Sequence, residues 1–233
     1  MSLPGYVTGL PGVRTAKVAT HRIVFRQGDW LSDLAQGKII DGSLSRDSGN
    51  TGDLDVLRPG TLMGKITSGG KYAPSILGIT TGAYTSGGTS ITVSLAQAVE
   101  IARRIGTSGN LTYVGPPTAA GTVAVTASVA FSAINTSTGV ITVTSLGVDK
   151  IAGTFVCATD GSHLPLTFIP DGYGVKVTDV DATSLDVPFA SFPIAGVVTA
   201  SQLLPAWPSD TSLQTWIKDQ LNLYGKFVFD YGY

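Results

Sequence analysis

Apolar and polar residues alternate along several stretches of this chain, and two further stretches carry helical spacing. Residues 121–131 and 139–146 alternate on either side of Asn135-Thr136-Ser137-Thr138, which predicts a β-hairpin closed by a polar turn. Residues 173–180 set Val175 and Val177 against Lys176 and Thr178, and residues 187–199 form another apolar, β-branched run; both predict strands. Short strands broken by glycine turns are expected over 57–79, and a further one over 151–158. The spacing changes at Ser94. That residue is an N-cap with Gln97 three positions on, Leu95, Ala98, Val99, Ala102 and Ile105 share a face, and Arg103 and Arg104 precede a stop at Gly106, so a helix is predicted over 94–105. A second helix is predicted over 210–224, capped by Ser209 or Asp210, with Leu213, Trp216, Ile217, Leu221 and Tyr224 on one stripe and Gly225 as its end. A strand-like tail, 226–231, follows.

Residues 1–52 hold no sustained period and are punctuated by Leu3-Pro4-Gly5, Leu10-Pro11-Gly12 and Asp41-Gly42. Their apolar content, including Phe25 and Trp30, is too high for a free linker, so they read as an extended arm lying on a partner surface. Three regions result: the arm 1–52, a discontinuous domain made of 53–80 and 163–233, and an inserted β-rich subdomain, 81–162, that holds the first helix.

Composition strengthens the β-rich reading. A single glutamate, Glu100, stands against 15 aspartates, while 29 Gly, 28 Thr and 21 Ser occupy places where Glu, Lys and Gln would sit on helices. The fold class expected is mainly β, a β-rich α+β chain. Only 13% of its 233 residues are charged and mean hydropathy is +0.27, which excludes a disordered polyelectrolyte. No apolar run approaches the roughly 20 residues of a membrane-spanning helix, and no signal peptide is visible, so the chain is expected to begin near Met1. The net charge of −1 is uneven, because residues 1–28 carry Arg14, Lys17, Arg22 and Arg26 and no acid. A basic arm on a mildly acidic body suits an acidic partner surface.

Candidates for chemistry are few. His21 and His163 lie far apart without a second ligand at helical spacing, and Cys157 sits in a strand-like segment where a small buried hydrophobe is the usual reading. Asp179-Val180-Asp181 matches the start of a calcium loop, but Ser184 stands where that loop needs glycine and no glutamate closes it, so Asp171, Asp179, Asp181 and Asp186 read as turn aspartates. No catalytic residue, metal ligand or cofactor site is expected, and the chain reads as a non-enzyme. Arg22, Phe25, Arg26 and Trp30 interleave charge with aromatics, too thinly to expect nucleic-acid binding at a pI near 6.0.

Leu57-Arg58-Pro59-Gly60-Thr61-Leu62-Met63-Gly64-Lys65-Ile66-Thr67, then Gly70-Lys71-Tyr72-Ala73-Pro74 and Ile76-Leu77-Gly78-Ile79, resembles the opening of lambda-type phage head decoration (cement) proteins. Tyr173-Gly174-Val175, Val187-Pro188-Phe189-Ala190, Gly196-Val197-Val198, Leu203-Leu204 and Trp207-Pro208 are similar to the rest of that domain. The positions carrying the resemblance are Pro59, Gly60, Thr61, Gly64, Lys65, Tyr72, Gly78, Trp207 and Pro208; residues 81–162 fall outside it. The resemblance implies a small β-barrel or β-tulip-like domain with one C-terminal helix. It also implies a homotrimer on the outer surface of a mature capsid, at three-fold positions, cementing neighbouring major capsid protein subunits. The arm's Arg14, Lys17, Arg22, Phe25, Arg26 and Trp30 would then contact the capsid, and arm or insertion would reach neighbouring trimers, with no cofactor, nucleic acid or membrane involved. Such a protein is made in the host cytoplasm and resides on the virion. Two other readings fit the β-rich, Thr- and Ser-rich texture: a host-surface or glycan-binding virion module, and another β-rich virion part such as a tail-tube protein.

Overall fold

The computed structural model describes Val24 and residues 31–32, 38–170, 172–178, 183–188, 192–223 and 225–230. The elements run β1 (Leu31–Ser32), β2 (Ile39–Ile40), β3 (Val56–Leu57), β4 (Leu62–Lys65), β5 (Tyr72–Pro74), β6 (Gly78–Ile79), β7 (Ser90–Thr92) and α1 (Leu95–Ile105). They continue as β8 (Gly109–Gly115), β9 (Ala124–Asn135), β10 (Val140–Val143), β11 (Phe155–Cys157), β12 (Pro165–Phe168), β13 (Val175–Lys176), β14 (Val187–Pro188), β15 (Pro193–Thr199), α2 (Thr211–Asn222) and β16 (Lys226–Asp230). The chain is mainly β, 37% strand and 14% helical, with one sheet curled into a half-barrel and a C-terminal helix.

A six-stranded sheet, ordered β6-β11-β8-β9-β10-β7, is built from residues 78–157. Its β9–β10 hairpin closes where Asn135 Oδ1 accepts the amides of Ser137 and Thr138 and the Asn135 carbonyl accepts Gly139 N–H, so asparagine supplies the turn its side chain favours. A five-stranded sheet, β12-β4-β5-β2-β14, brings β4 between β12 and β5. A third sheet pairs β15 antiparallel to β1 and parallel to β16, and the parallel pair is possible because α2 makes the crossover between them.

Local chemistry sets both helices. Ser94 Oγ accepts Gln97 N–H while Gln97 Oε1 accepts Ser94 N–H, a reciprocal cap, and Gln97 Oε1 also takes the amide of Ile79. On α2, Asp210 accepts the amides of Ser212 and Leu213, and Leu213, Ile217 and Leu221 are wholly buried.

The face of α1 differs from the periodic pattern. Leu95 and Val99 are about half exposed at 52% and 49%, whereas Ala98, Ile101 and Glu100 are buried. The buried side is turned by roughly 100°, one residue of helix. Charged contacts fix that rotation: Arg103 holds both oxygens of Glu100 and donates to the Ser43 carbonyl at 2.6 Å, and Arg104 reaches inward to the Pro74 carbonyl.

Two predicted strands are shorter than their patterns. Among the described residues of 173–180, Val175–Lys176 pair with β3, Val177 N–H continues that register to the Asp55 carbonyl, and the chain then turns back on itself, with Leu185 N–H donating to the Val177 carbonyl and Thr178 bridging Ser184. The run 187–199 is split: β14 joins β2 and β15 joins another sheet, with the buried Phe192 between them packed against Tyr72, ring centroids 4.9 Å apart. Residues 38–52, which the sequence groups with the arm, are built into the body. Ile40 is fully buried in the five-stranded sheet, and Asp47 is held by both Arg58 Nε and Nη2.

Three apolar clusters form the core. The first packs Leu213, Ile217 and Leu221 of α2 against Val114, Phe155 and Cys157 of the six-stranded sheet and against Leu62, Phe168 and Phe227. The second lies beneath α1, and the third surrounds Ile40, Leu57, Met63 and Phe192. Residues 81–162 are therefore not insulated from the rest of the chain.

Candidate interaction surface

The residues that carry the resemblance divide by position. Pro59 and Gly60 are buried, and Thr61 N–H and Oγ1 both donate to the Arg58 carbonyl. Backbone bonds then lace this turn to a distant part of the chain: Gly60 N–H donates to Ile169, Leu204 N–H to Gly60, and Leu62 N–H to Leu204. Gly60 sits at φ +87°, and a Cβ there would lie 2.2 Å from the Gln202 carbonyl oxygen, so only glycine allows the approach. At Gly64 a Cβ would lie 1.9 Å from the Ser162 carbonyl oxygen. Trp207 stacks on Phe229 with ring centroids 6.1 Å apart, and the Pro208 carbonyl accepts Gln214 Nε2 of α2. These positions hold the fold together. Gly78 stands apart in the six-stranded sheet, where its missing side chain leaves room for Val93 and Ile101.

Lys65 and Tyr72 are the remaining positions, Tyr72 half-buried against Phe192. They are register partners across β4 and β5, and Lys65 is exposed. The arm residues Arg14, Lys17, Arg22, Phe25, Arg26 and Trp30 lie outside the described residues, as do His21, Asp171, Asp179 and Asp181. Asp186 pairs with Lys71 at 2.7 Å, and Lys71 also meets Asp41 at 3.4 Å.

The titratable groups in the interior are structural. Arg104, 1% exposed, donates to Pro74 O at 2.8 Å, to Asp160 Oδ2 at 2.8 Å and to Ser162 Oγ at 2.7 Å, joining α1, β5 and the 160–162 turn. Burial pushes the Asp160 carboxyl up, but the Arg104 charge and the bonds from Ser162 outweigh it and hold the group below its ordinary range. Burial raises the Cys157 thiol far above its usual value and lowers His163. Lys150, 1% exposed, has its ammonium lowered by burial and donates to Gly115 O at 2.6 Å and Ala124 O at 2.8 Å, clamping the ends of β8 and β9. Nothing in Val148-Asp149-Lys150-Ile151 distinguishes that lysine from a solvated one.

Among the described residues no three His, Cys, Asp or Glu side chains gather in a group able to hold a metal ion, and no helix is long and apolar enough to cross a membrane. No protein-family model, curated protein or solved structure matches the chain.

Proposed function

We propose that the chain is a structural virion protein that binds the outer surface of a mature phage capsid as a homotrimer at three-fold positions and cements neighbouring major capsid protein subunits. The observation that carries this reading is the meeting of its two resembling stretches. Segments around Gly60 and Leu204, over 140 positions apart, share backbone hydrogen bonds and a parallel bridge from Thr61 to Leu204. That meeting supports reading the stretches around Gly60 and Leu204 as parts of one discontinuous domain. Exposed apolar side chains support a contact role: Leu223 at 61% and Val228 at 64% flank the turn between α2 and β16.

Cryo-EM of the virion that carries this chain tests the reading. Density for three copies at three-fold positions on the outer shell is the expected result; density confined to the tail, or none on the shell, overturns it. Deleting residues 1–28 removes a net charge of +4 and is expected to lower shell occupancy, with added salt weakening the binding of the intact chain. Undiminished occupancy would remove the arm from the proposal.

A further inference from the structure

A groove of about 450 Å³, open to solvent, runs between α2 and the segment that leads into β9. Thr211, Trp216 and Asp219 line it from the helix, and Thr122 and Val123 from the facing segment. One carboxylate fixes both walls: Asp210 Oδ1 accepts the amides of Ser212 and Leu213 at the start of α2, while Asp210 Oδ2 accepts Ala120 N–H at 3.0 Å. Ala120 is held at φ +55°, a conformation alanine rarely adopts, in a turn closed by Gly121 N–H on the Thr118 carbonyl. The apolar part of the groove is Val123 and the half-buried Trp216, both packed on the α2 core, with the Trp216 and Phe155 ring centroids 6.2 Å apart.

Trp216 Nε1, the Asp219 carboxylate and the hydroxyls of Thr122 and Thr211 line this groove without a hydrogen bond or ion pair among the described residues. Trp216 and Asp219 stand three positions apart on the helix, where side chains are neighbours with Cβ atoms about 5–6 Å apart. Thr211 lies two turns from Asp219, about 12 Å along the axis. An indole face attracts C–H groups, a carboxylate accepts hydroxyls, and indole N–H and threonine hydroxyls complete a polar rim. A cation would use the indole and the carboxylate and leave the hydroxyls idle; an anion would meet Asp219 with no cation beside it. The volume falls within the range of sites for small organic ligands, about 300–1,000 Å³. We propose that this groove binds a short neutral saccharide, one pyranose ring laying its C–H face on Trp216 and donating hydroxyls to Asp219, the next ring reaching toward Thr211. The inference stands whether or not the chain sits on a capsid.

Nitrogen-15 NMR of the full chain tests it, with the Trp216 indole N–H signal, identified by its loss in Trp216→Phe, as the reporter. Methyl β-D-glucopyranoside should shift that signal saturably with half-saturation at about 1–10 mM, the affinity a ligand of this size allows. Methyl β-cellobioside should bind at least about threefold more tightly through its second ring. Asp219→Ala and Thr122→Val, at exposed positions where substitution leaves the fold in place, should each weaken the glucoside roughly threefold or more, and Thr211→Val should cancel the advantage of the cellobioside. Methyl β-D-glucuronide, repelled by Asp219, should bind at least about threefold more weakly than the glucoside. No saturable shift by either neutral glycoside, no gain from the second ring, unchanged affinity in both Asp219→Ala and Thr122→Val, a glucuronide as tight as the glucoside, or L-argininamide tighter than both neutral glycosides would each overturn the proposal.

Discussion

Replacing Arg104 with methionine keeps the apolar stem and removes the guanidinium, which is the perturbation that best isolates how the six-stranded sheet is fastened to the rest of the chain. Three acceptors lose their donor at once: the Pro74 carbonyl, Asp160 Oδ2 and Ser162 Oγ. Hydrogen bonds to a charged group contribute about 1.5–3 kcal/mol each when buried, and breaking a buried ion pair by deleting one partner costs about 3–5 kcal/mol. Arg104 is 1% exposed but the Asp160 side chain is 27% exposed, so water relieves part of the cost. About 3 kcal/mol is the expected loss for Arg104→Met near neutral pH. Urea unfolding followed by circular dichroism measures it, and with a slope of about 3 kcal/mol/M the midpoint should fall by about 1 M.

The same pair carries a pH signature with a definite sign. The folded-state pKa of Asp160 is depressed, so its contribution is complete above the unfolded value of about 3.9 and is lost as pH falls through the lower folded value. Removing Arg104 removes the largest of the effects that lower it and leaves burial to raise it. The gap in stability between parent and Arg104→Met should therefore narrow as pH drops below about 4. The double variant Arg104→Met/Asp160→Asn should recover about 1–2 kcal/mol relative to the sum of the single changes. A single-variant loss under about 1 kcal/mol, or strict additivity in the double variant, would refute the assignment of Arg104 as the fastening between sheets.

Other expectations follow from burial and geometry. Ile217→Ala, at a fully buried site on α2, should cost about 2–5 kcal/mol, while Leu223→Ala at 61% exposure should change stability by less than about 0.5 kcal/mol, both read from urea midpoints. Val99→Gln should be similarly neutral and Ile101→Ala costly, which tests the rotation of α1 directly. Gly64→Ala forces a methyl toward the Ser162 carbonyl and should destabilise by about 1–3 kcal/mol, seen as a lower melting temperature. Residues 80–162 expressed alone should show no cooperative unfolding transition, because Val114, Phe155 and Cys157 lose the cover of α2; a sharp two-state melt of that fragment would contradict the shared core.

Legibility of the fold tracked how local each cause is. The Ser94–Gln97 cap, the Asn135 turn and the Asp210 cap act within a few residues, and each appears in the structure where the spacing predicts it. The stripe Leu213-Ile217-Leu221 was equally plain, since helical period and burial agree there. The rotation of α1 was not, because Leu95 and Val99 look like core by period alone. What turns them outward is Arg104 binding Pro74 and Asp160, 30 and 56 positions away, and Arg103 binding the carbonyl of Ser43.

Lys150 and Gly64 show why the candidate surface was read less well than the elements. A lysine among Asp149 and Ile151 scores as solvated until the ends of β8 and β9 converge on it from 35 and 26 positions away. Gly64 lies mid-strand, and the place of its missing Cβ is taken by a carbonyl from residue 162, a contact 98 positions away that no local pattern announces. Lys65, by contrast, is singled out in the sequence by the resemblance alone, and only the pairing of β4 with β5 sets it, exposed, opposite Tyr72.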